Sequence, residues 1–385
     1  MRVLMATTAG AGHFGPLVPF ATALRAAGHD VAVAAPECFA PVIARAGFAH
    51  HPFADASPDE LGAVFGSLAG LSHDEANAIV IGEVFGRIDT RAALPGMEAL
   101  VRDWSPDLIL RETCEFSSYI VAEAAGVPHV HMAVGLAAFG APALPLLEAP
   151  LVELGAEGGL AGLRTAPSFT LVPTSLEGPT TYDDLPPSRF RDDTSDGSDD
   201  PPLPDWWGGS SEPLMYVTFG SVAGGMGLFP GFYREVIAAL GDLPVRILVT
   251  IGDAGDPAAL GSVPPNVQVE NWWPQRSVMA HASAMVGHGG FGTTLAGLAA
   301  GVPMVVVPLF ADQPLNASRV EAVGAGIALD GGTEAIHQLR GAVTAVLDQD
   351  SYRTSARRMA DEIRRLPPAS ELVPILEDLA RNQVA

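Results

Sequence analysis

The chain has 385 residues, enough for two or three domains with cores of their own, and 48% apolar against 17% charged residues excludes disorder for its bulk. Forty-four acidic against 21 basic residues leave a formal charge of −23, a field that repels phosphate backbones and anionic lipid, so nucleic acid and membrane are excluded as default partners. All the basic residues are arginine, which rules out Schiff-base enzymes, pyridoxal phosphate enzymes and the P-loop lysine, and two cysteines, Cys38 and Cys114, fit a reducing cytoplasm better than a disulfide framework.

In chain order, short β-like runs alternate with amphipathic helical stretches: a strand at Arg2–Thr7, a helix at Leu17–Ala27, a strand at Asp30–Ala34. The grammar returns at Asp107–Leu110, Phe116–Ala125 and His129–Ala133, with Gly28, Gly47 and Gly126 closing helices. From Pro52 to Ala93 loops and helices carry Phe53, Phe65, Leu68, Leu71 and Phe85, which serve either as satellite packing or as a wall of an apolar substrate pocket. Composition breaks at Asp192–Pro204, where five Asp, two Ser, a Gly and three Pro leave nothing to bury, so this stretch is a linker. Trp206 and Trp207 behind it are expected to pack the linker against a domain. Strands restart at Leu214–Phe219, Arg246–Ile251, Val267–Val269, Met285–Val286 and Met304–Val307. The fold class is therefore α/β, with two tandem Rossmann-like, doubly wound domains at 1–191 and 213–366, an acidic Pro-rich linker at 192–212, and a C-terminal helix at 367–385 whose return to the first domain is open. No apolar stretch reaches the ~20 residues of a membrane span.

In open parallel sheets, ligands bind where strands end and helices begin. The richest such point is Val286–Thr294, VGHGGFGTT, where small residues let backbone approach a ligand and a helix opens near Thr293. A diphosphate suits it: His288, Thr293 and the N–H groups of Gly290 and Gly292 are donors, with His288 most effective where the pH protonates it. Asp312 and Gln313, after the strand Met304–Val307, suit neighbouring hydroxyls.

The run from Trp272 to Asn316, with WWPQ, HGGFGTT, GVP and DQPLNA in that order, together with GAGHFGPLVP near the start and VTFGS at Val217–Ser221, resembles the UDP- and TDP-sugar-dependent glycosyltransferases, in particular those that glycosylate antibiotics. The likeness spans nearly the whole chain. It implies the GT-B fold, with two Rossmann-like domains facing across a cleft, acceptor in the first and nucleotide sugar in the second. It also implies that Trp272 stacks on the base, with Trp273, Gln275 and Phe291 in the same nucleotide site. Ser221, His288, Gly290, Gly292 and Thr293 would hold the diphosphate, Asp312 and Gln313 the sugar hydroxyls, and His13 would be the general base. The Asp that usually partners this base falls at Glu112, with Glu115 a competitor. An acid that grips the ribose in UDP-glucose enzymes is replaced by Ala296, which tilts the donor toward a TDP-deoxysugar.

Three alternatives have their own signals. Gly10, Gly12 and Gly15 spell GxGxxG, with Glu37 at the distance of a ribose-binding acid, as in a nicotinamide-dependent oxidoreductase, but His13 sits inside the triplet. A sugar-nucleotide epimerase and a non-catalytic binding helper share the architecture. The leading expectation is an inverting, metal-independent transfer from a TDP- or UDP-sugar to a hydroxyl of an apolar natural product, the aglycone meeting the Phe53–Phe85 and Met132–Leu147 regions. Neither a cofactor nor a metal ligand set is expected; Asp348-Gln349-Asp350 is assigned to solvated surface.

Overall fold

The computed structural model describes residues 1–179, 186–193, 201–221, 223–252 and 255–382. The chain divides into two compact units: Met1–Val172 with Pro179–Thr194 and Leu366–Ala385, and Pro173–Gly178 with Ser195–Arg365. Residues 194–200 of the acidic linker lie outside the described residues.

The first unit is built on β1 (Arg2–Ala6), β2 (Asp30–Pro36), β3 (Ala49–Phe53), β4 (Leu108–Glu112), β5 (His129–Ala133), β6 (Ser168–Thr170) and β7 (Ser188–Arg189). They form one seven-stranded sheet in the order β3-β2-β1-β4-β5-β6-β7, and the pairings are parallel. Strands β1, β2 and β4 are near-continuous apolar runs because helices cover both of their faces. One face packs Leu4, Ala32, Ile109 and Phe53 against Met97 and Val101 of the helix Thr90–Trp104. The segment Leu372–Asn382 also belongs to this unit, with Leu372 and Leu376 buried.

The second unit holds β8 (Leu214–Thr218), β9 (Arg246–Thr250), β10 (Val267–Glu270), β11 (Ala282–Gly287), β12 (Met304–Val306) and β13 (Gly326–Ala328), again parallel, in the order β10-β9-β8-β11-β12-β13. Its core joins Met215, Val217, Val249 and Val286 to Phe232 and Tyr233 of the helix Gly231–Leu240 and to Leu339 and Val343 of the helix Ile336–Asp348.

Strand order reverses at one point in each sheet, between β1 and β4 and between β8 and β11. Connections leave such a pair in opposite directions and open a crevice at the carboxyl ends of the strands. In the first sheet Ala6 stands beside Arg111, so the chain leaving β1 faces the end of β4 at Glu112. In the second, Thr218 stands beside Gly287, so the loops carrying Ser221 and His288 emerge side by side.

Candidate active site

In the first unit, β1 runs through Thr7 and Thr8 into the one-turn helix Ala11–Phe14, which carries His13. The ring N–H at Nδ1 donates to Glu112 Oε2 across 3.1 Å. Glu112 is fully buried, whereas the His13 side chain keeps 27% of its surface exposed. The carboxylate is saturated: Oε1 accepts from Thr8 N at 3.2 Å and Thr8 Oγ1 at 2.9 Å, and Oε2 also accepts from Cys114 N at 2.7 Å. Burial alone would raise the Glu112 pKa, but the charge of His13 and these hydrogen bonds outweigh it and hold the carboxyl below its usual range. For His13, burial pulls downward, but the Glu112 carboxylate and the Cys114 side chain together more than compensate, so its pKa lies well above 6.5. Glu115, the competing partner, is committed elsewhere, accepting from Ser117 and Ser118 at the start of the helix Ser117–Ala125.

Phe85 lies with its ring 5.6 Å from that of His13. It belongs to the ten-residue π-helical segment Val80–Asp89, a wide-turned form that often occurs at functional sites. Its last residue, Asp89, has its carboxyl pushed up to about 6 by burial and by the Glu112 charge. The apolar residues considered together therefore separate. Phe85 faces the base, Phe53 is core, and Phe65 and Leu71 are exposed. Gly10 is needed for close approach, since a Cβ there would meet the His13 ring at 2.9 Å, whereas Gly12 and Gly15 have open space. The first βα turn thus serves an imidazole bonded to a carboxylate, which gives the nicotinamide alternative no support.

In the second unit, the helix after β11 spans Phe291–Ala299, so it opens two residues before the expected Thr293. Its first i→i−4 bond runs from Thr294 N to Gly290 O, which leaves the N–H groups of Gly290 through Thr293 at the positive end of the helix. Phe291 is buried and offers the site only its backbone. Thr293 Oγ1 accepts from Gln275 Nε2 at 3.2 Å, which ties the WWPQ segment to this turn. Trp272 is 63% exposed, while Trp273 packs against Trp206 with ring centroids 5.1 Å apart. Trp207 Nε1 donates to Asn266 O. Ser221 is exposed in the turn after β8.

His288 is buried and its Nδ1 has no hydrogen-bond partner among the described residues. Burial pushes its pKa down to about 4, against a small upward pull from the Thr218 backbone. With no ligand bound, burial thus keeps His288 a neutral imidazole near neutral pH. Asn316, to which the sequence pointed only as the end of a motif, is buried and donates to Gly289 O and to Asp312 Oδ2, each at 2.8 Å. Gln313 Oε1 accepts from the N–H groups of Leu309 and Phe310 at 2.8 and 3.0 Å, so its carbonyl holds the loop and only its NH₂ remains for a ligand. Asp348, Gln349 and Asp350 are exposed where two helices meet.

The models for the N- and C-terminal domains of the erythromycin biosynthesis protein CIII-like family match residues 22–144 and 234–379. The L-demethylnoviosyl transferase of Streptomyces niveus is 32% identical over 100% of this chain and 98% of its own length. The crystal structure of the glycosyltransferase SnogD from Streptomyces nogalater superposes with a TM-score of 0.76 at 27% identity, covering 99% of both chains. That of the Streptomyces sp. SF2575 glycosyltransferase SsfS6, complexed with thymidine diphosphate, does so with a TM-score of 0.78 at 26% identity, covering 98% of this chain and 99% of that one. Two parallel-sheet domains of GT-B type and whole-length likeness to antibiotic glycosyltransferases together establish that this chain belongs to the EryCIII-like family of glycosyltransferases.

Proposed function

We propose that the chain moves a deoxysugar from its thymidine diphosphate to a hydroxyl of an apolar natural product, with inversion and without a metal. The observation that carries the reading is the bond from His13 Nδ1 to the buried Glu112, which fixes the tautomer and leaves Nε2 as the base. Nε2 takes the hydroxyl proton, the oxygen bonds to the anomeric carbon from the face opposite the nucleotide, and the carbon–oxygen bond to the diphosphate breaks with its electron pair leaving on that oxygen. Glu112 stabilises the imidazolium so formed.

The leaving charge is assigned to the N–H groups at the start of Phe291–Ala299, to Thr293, Ser221 and neutral His288, with Trp272 offered to the base and Asp312 and the Gln313 NH₂ to sugar hydroxyls. No carboxylate lies between Val286 and Pro303 to hold a cation there. Thymidine is favoured because Ala296 stands where an acid would grip a second ribose hydroxyl, and because the related SsfS6 is complexed with thymidine diphosphate. The thiols of Cys38 and Cys114, neither in a disulfide, fit a cytoplasmic setting.

His13→Ala is expected to lower transfer by ~10²–10⁴ while leaving calorimetric affinity for TDP unchanged. Full turnover in the variant would remove His13 from its role. In competitive titration TDP is expected to bind at least as tightly as UDP; a clear preference for UDP would mean that another residue reads the ribose.

A further inference from the structure

The His13 site contains one group that the transfer reaction does not use. A ring nitrogen of His13, a carboxylate oxygen of Glu112 and the Sγ of Cys114 all lie within 4.8 Å of one another. Among the described residues this is the one cluster of three metal-ligating side chains. Glu112 ends β4 and Cys114 follows two residues later, so the strand end sets both against the helix that carries His13. Ligand atoms around a tetrahedral zinc stand roughly 3.3–3.8 Å apart, given metal–ligand lengths of about 2.0–2.3 Å. The widest separation allowed by 4.8 Å exceeds that spacing by roughly 1–1.5 Å, which the side chains have to close when the ion binds.

We propose that His13, Glu112 and Cys114 form a binding site for a thiophilic divalent cation, zinc in the first place, and that its occupancy switches the transferase off. The proposal rests on the reading of His13 as the base. Imidazole plus thiolate plus carboxylate is a borderline-soft ligand set that suits zinc and disfavours magnesium. One thiolate and one carboxylate neutralise the two charges of the ion, so the complex is neutral in a largely buried place. Three protein ligands leave the fourth position for water.

The proton balance explains the inhibition. Binding releases the Cys114 thiol proton and, where His13 carries a second proton, that one too. A neutral imidazole has one basic lone pair. In the resting tautomer that lone pair is on Nε2, whereas Glu112 faces Nδ1, so a metal shared with Glu112 takes Nδ1, the ring proton passes to Nε2, and neither nitrogen can accept from an acceptor hydroxyl.

Cobalt(II) is the probe for binding, because a thiolate ligand gives it an intense near-ultraviolet charge-transfer band. The full-length protein is titrated with cobalt, then with zinc to displace it. The band is expected in the wild type and lost in Cys114→Ala, and it should weaken in His13→Ala, which keeps the thiol. A wild type without the band overturns the site, and this readout stands whether or not the chain transfers sugar. In the rate assay each protein is compared with its own rate in EDTA. Zinc buffered in the micromolar range is expected to slow the wild type at least tenfold, reversibly on chelation, with TDP affinity unchanged and magnesium without effect. Equal zinc inhibition in Cys114→Ala would overturn the assignment of the ligands.

Discussion

A buried carboxylate acts on its imidazole partner in two ways: it orients the ring, and it raises the ring's affinity for a proton. Both depend on Glu112 being held as an anion by Thr8, the Cys114 N–H and His13. With the His13 pKa well above 6.5, kcat/KM for the acceptor should fall on the acid side through a limb above 6.5, since below it the base already carries its proton. Glu112→Gln keeps the shape and removes the charge. Burial then acts on His13 with the Cys114 side chain still opposing it but the carboxylate charge gone, so the limb should move to lower pH while the plateau drops roughly 10²-fold. Measured in EDTA, a limb at the same pH in both proteins would show that Glu112 is not what sets it. His13 and Glu112 were legible in the sequence because a motif names the one and a strand end the other. The Thr8 and Cys114 N–H groups were not, because backbone donors have no residue-type signature, and the Thr8 hydroxyl gave no sign of a partner 104 residues away. Nor was the low pKa of His288, which comes from neighbours distant in the chain.

Elements, rather than single side chains, make the donor loop. The turn after β8 and the start of the helix after β11 share His288 as their filling. Gly220 has a φ of 75°, and a Cβ there would stand 2.8 Å from His288 Nε2. Gly220→Ala therefore combines left-handed strain of ~1–2 kcal/mol with displacement of the imidazole. TDP affinity should fall about tenfold or more in calorimetry at 25 °C, with the unfolding midpoint lowered by a few degrees; unaltered affinity would sever His288 and its turn from the donor site. The long apolar strands β1, β2, β4, β8 and β9 were legible because burial on both faces leaves continuous runs of apolar residues. Strands β3, β6, β7 and β13 escaped notice. Ala49–Phe53 contains two histidines and a proline at a sheet edge, and the other three are two or three residues long. Such strands form because a neighbour offers a ladder, a tertiary cause that local pattern does not carry.

At the scale of the whole molecule, two doubly wound halves were legible from the restart of βαβ grammar and the acidic break; the return of the C-terminal helix was left open, and the crossing of Pro173–Gly178 to the second unit gave no sign. Pro173–Gly178 belongs to the second unit and Leu366–Ala385 to the first, although each is adjacent in sequence to the other. The C-terminal segment is held by backbone bonds in both directions between Arg191 and the Pro367–Ala369 turn, and by Asp193, which accepts from Ala369 N at 3.1 Å. Its apolar side, Leu372 and Leu376, is buried. The segment is thus a structural part of the unit that carries His13, while containing none of the residues assigned to the reaction. Leu376→Ala tests this. Truncating a fully buried leucine costs ~2–5 kcal/mol, and that cost should fall on one unit alone. Denaturant unfolding is expected to show an earlier transition for the first unit. TDP calorimetry at 25 °C should remain that of the wild type, because the donor loop lies in the second unit. Weakened TDP binding together with an unshifted first transition would show that this helix supports the nucleotide-binding unit instead, and the division of the chain would have to be redrawn.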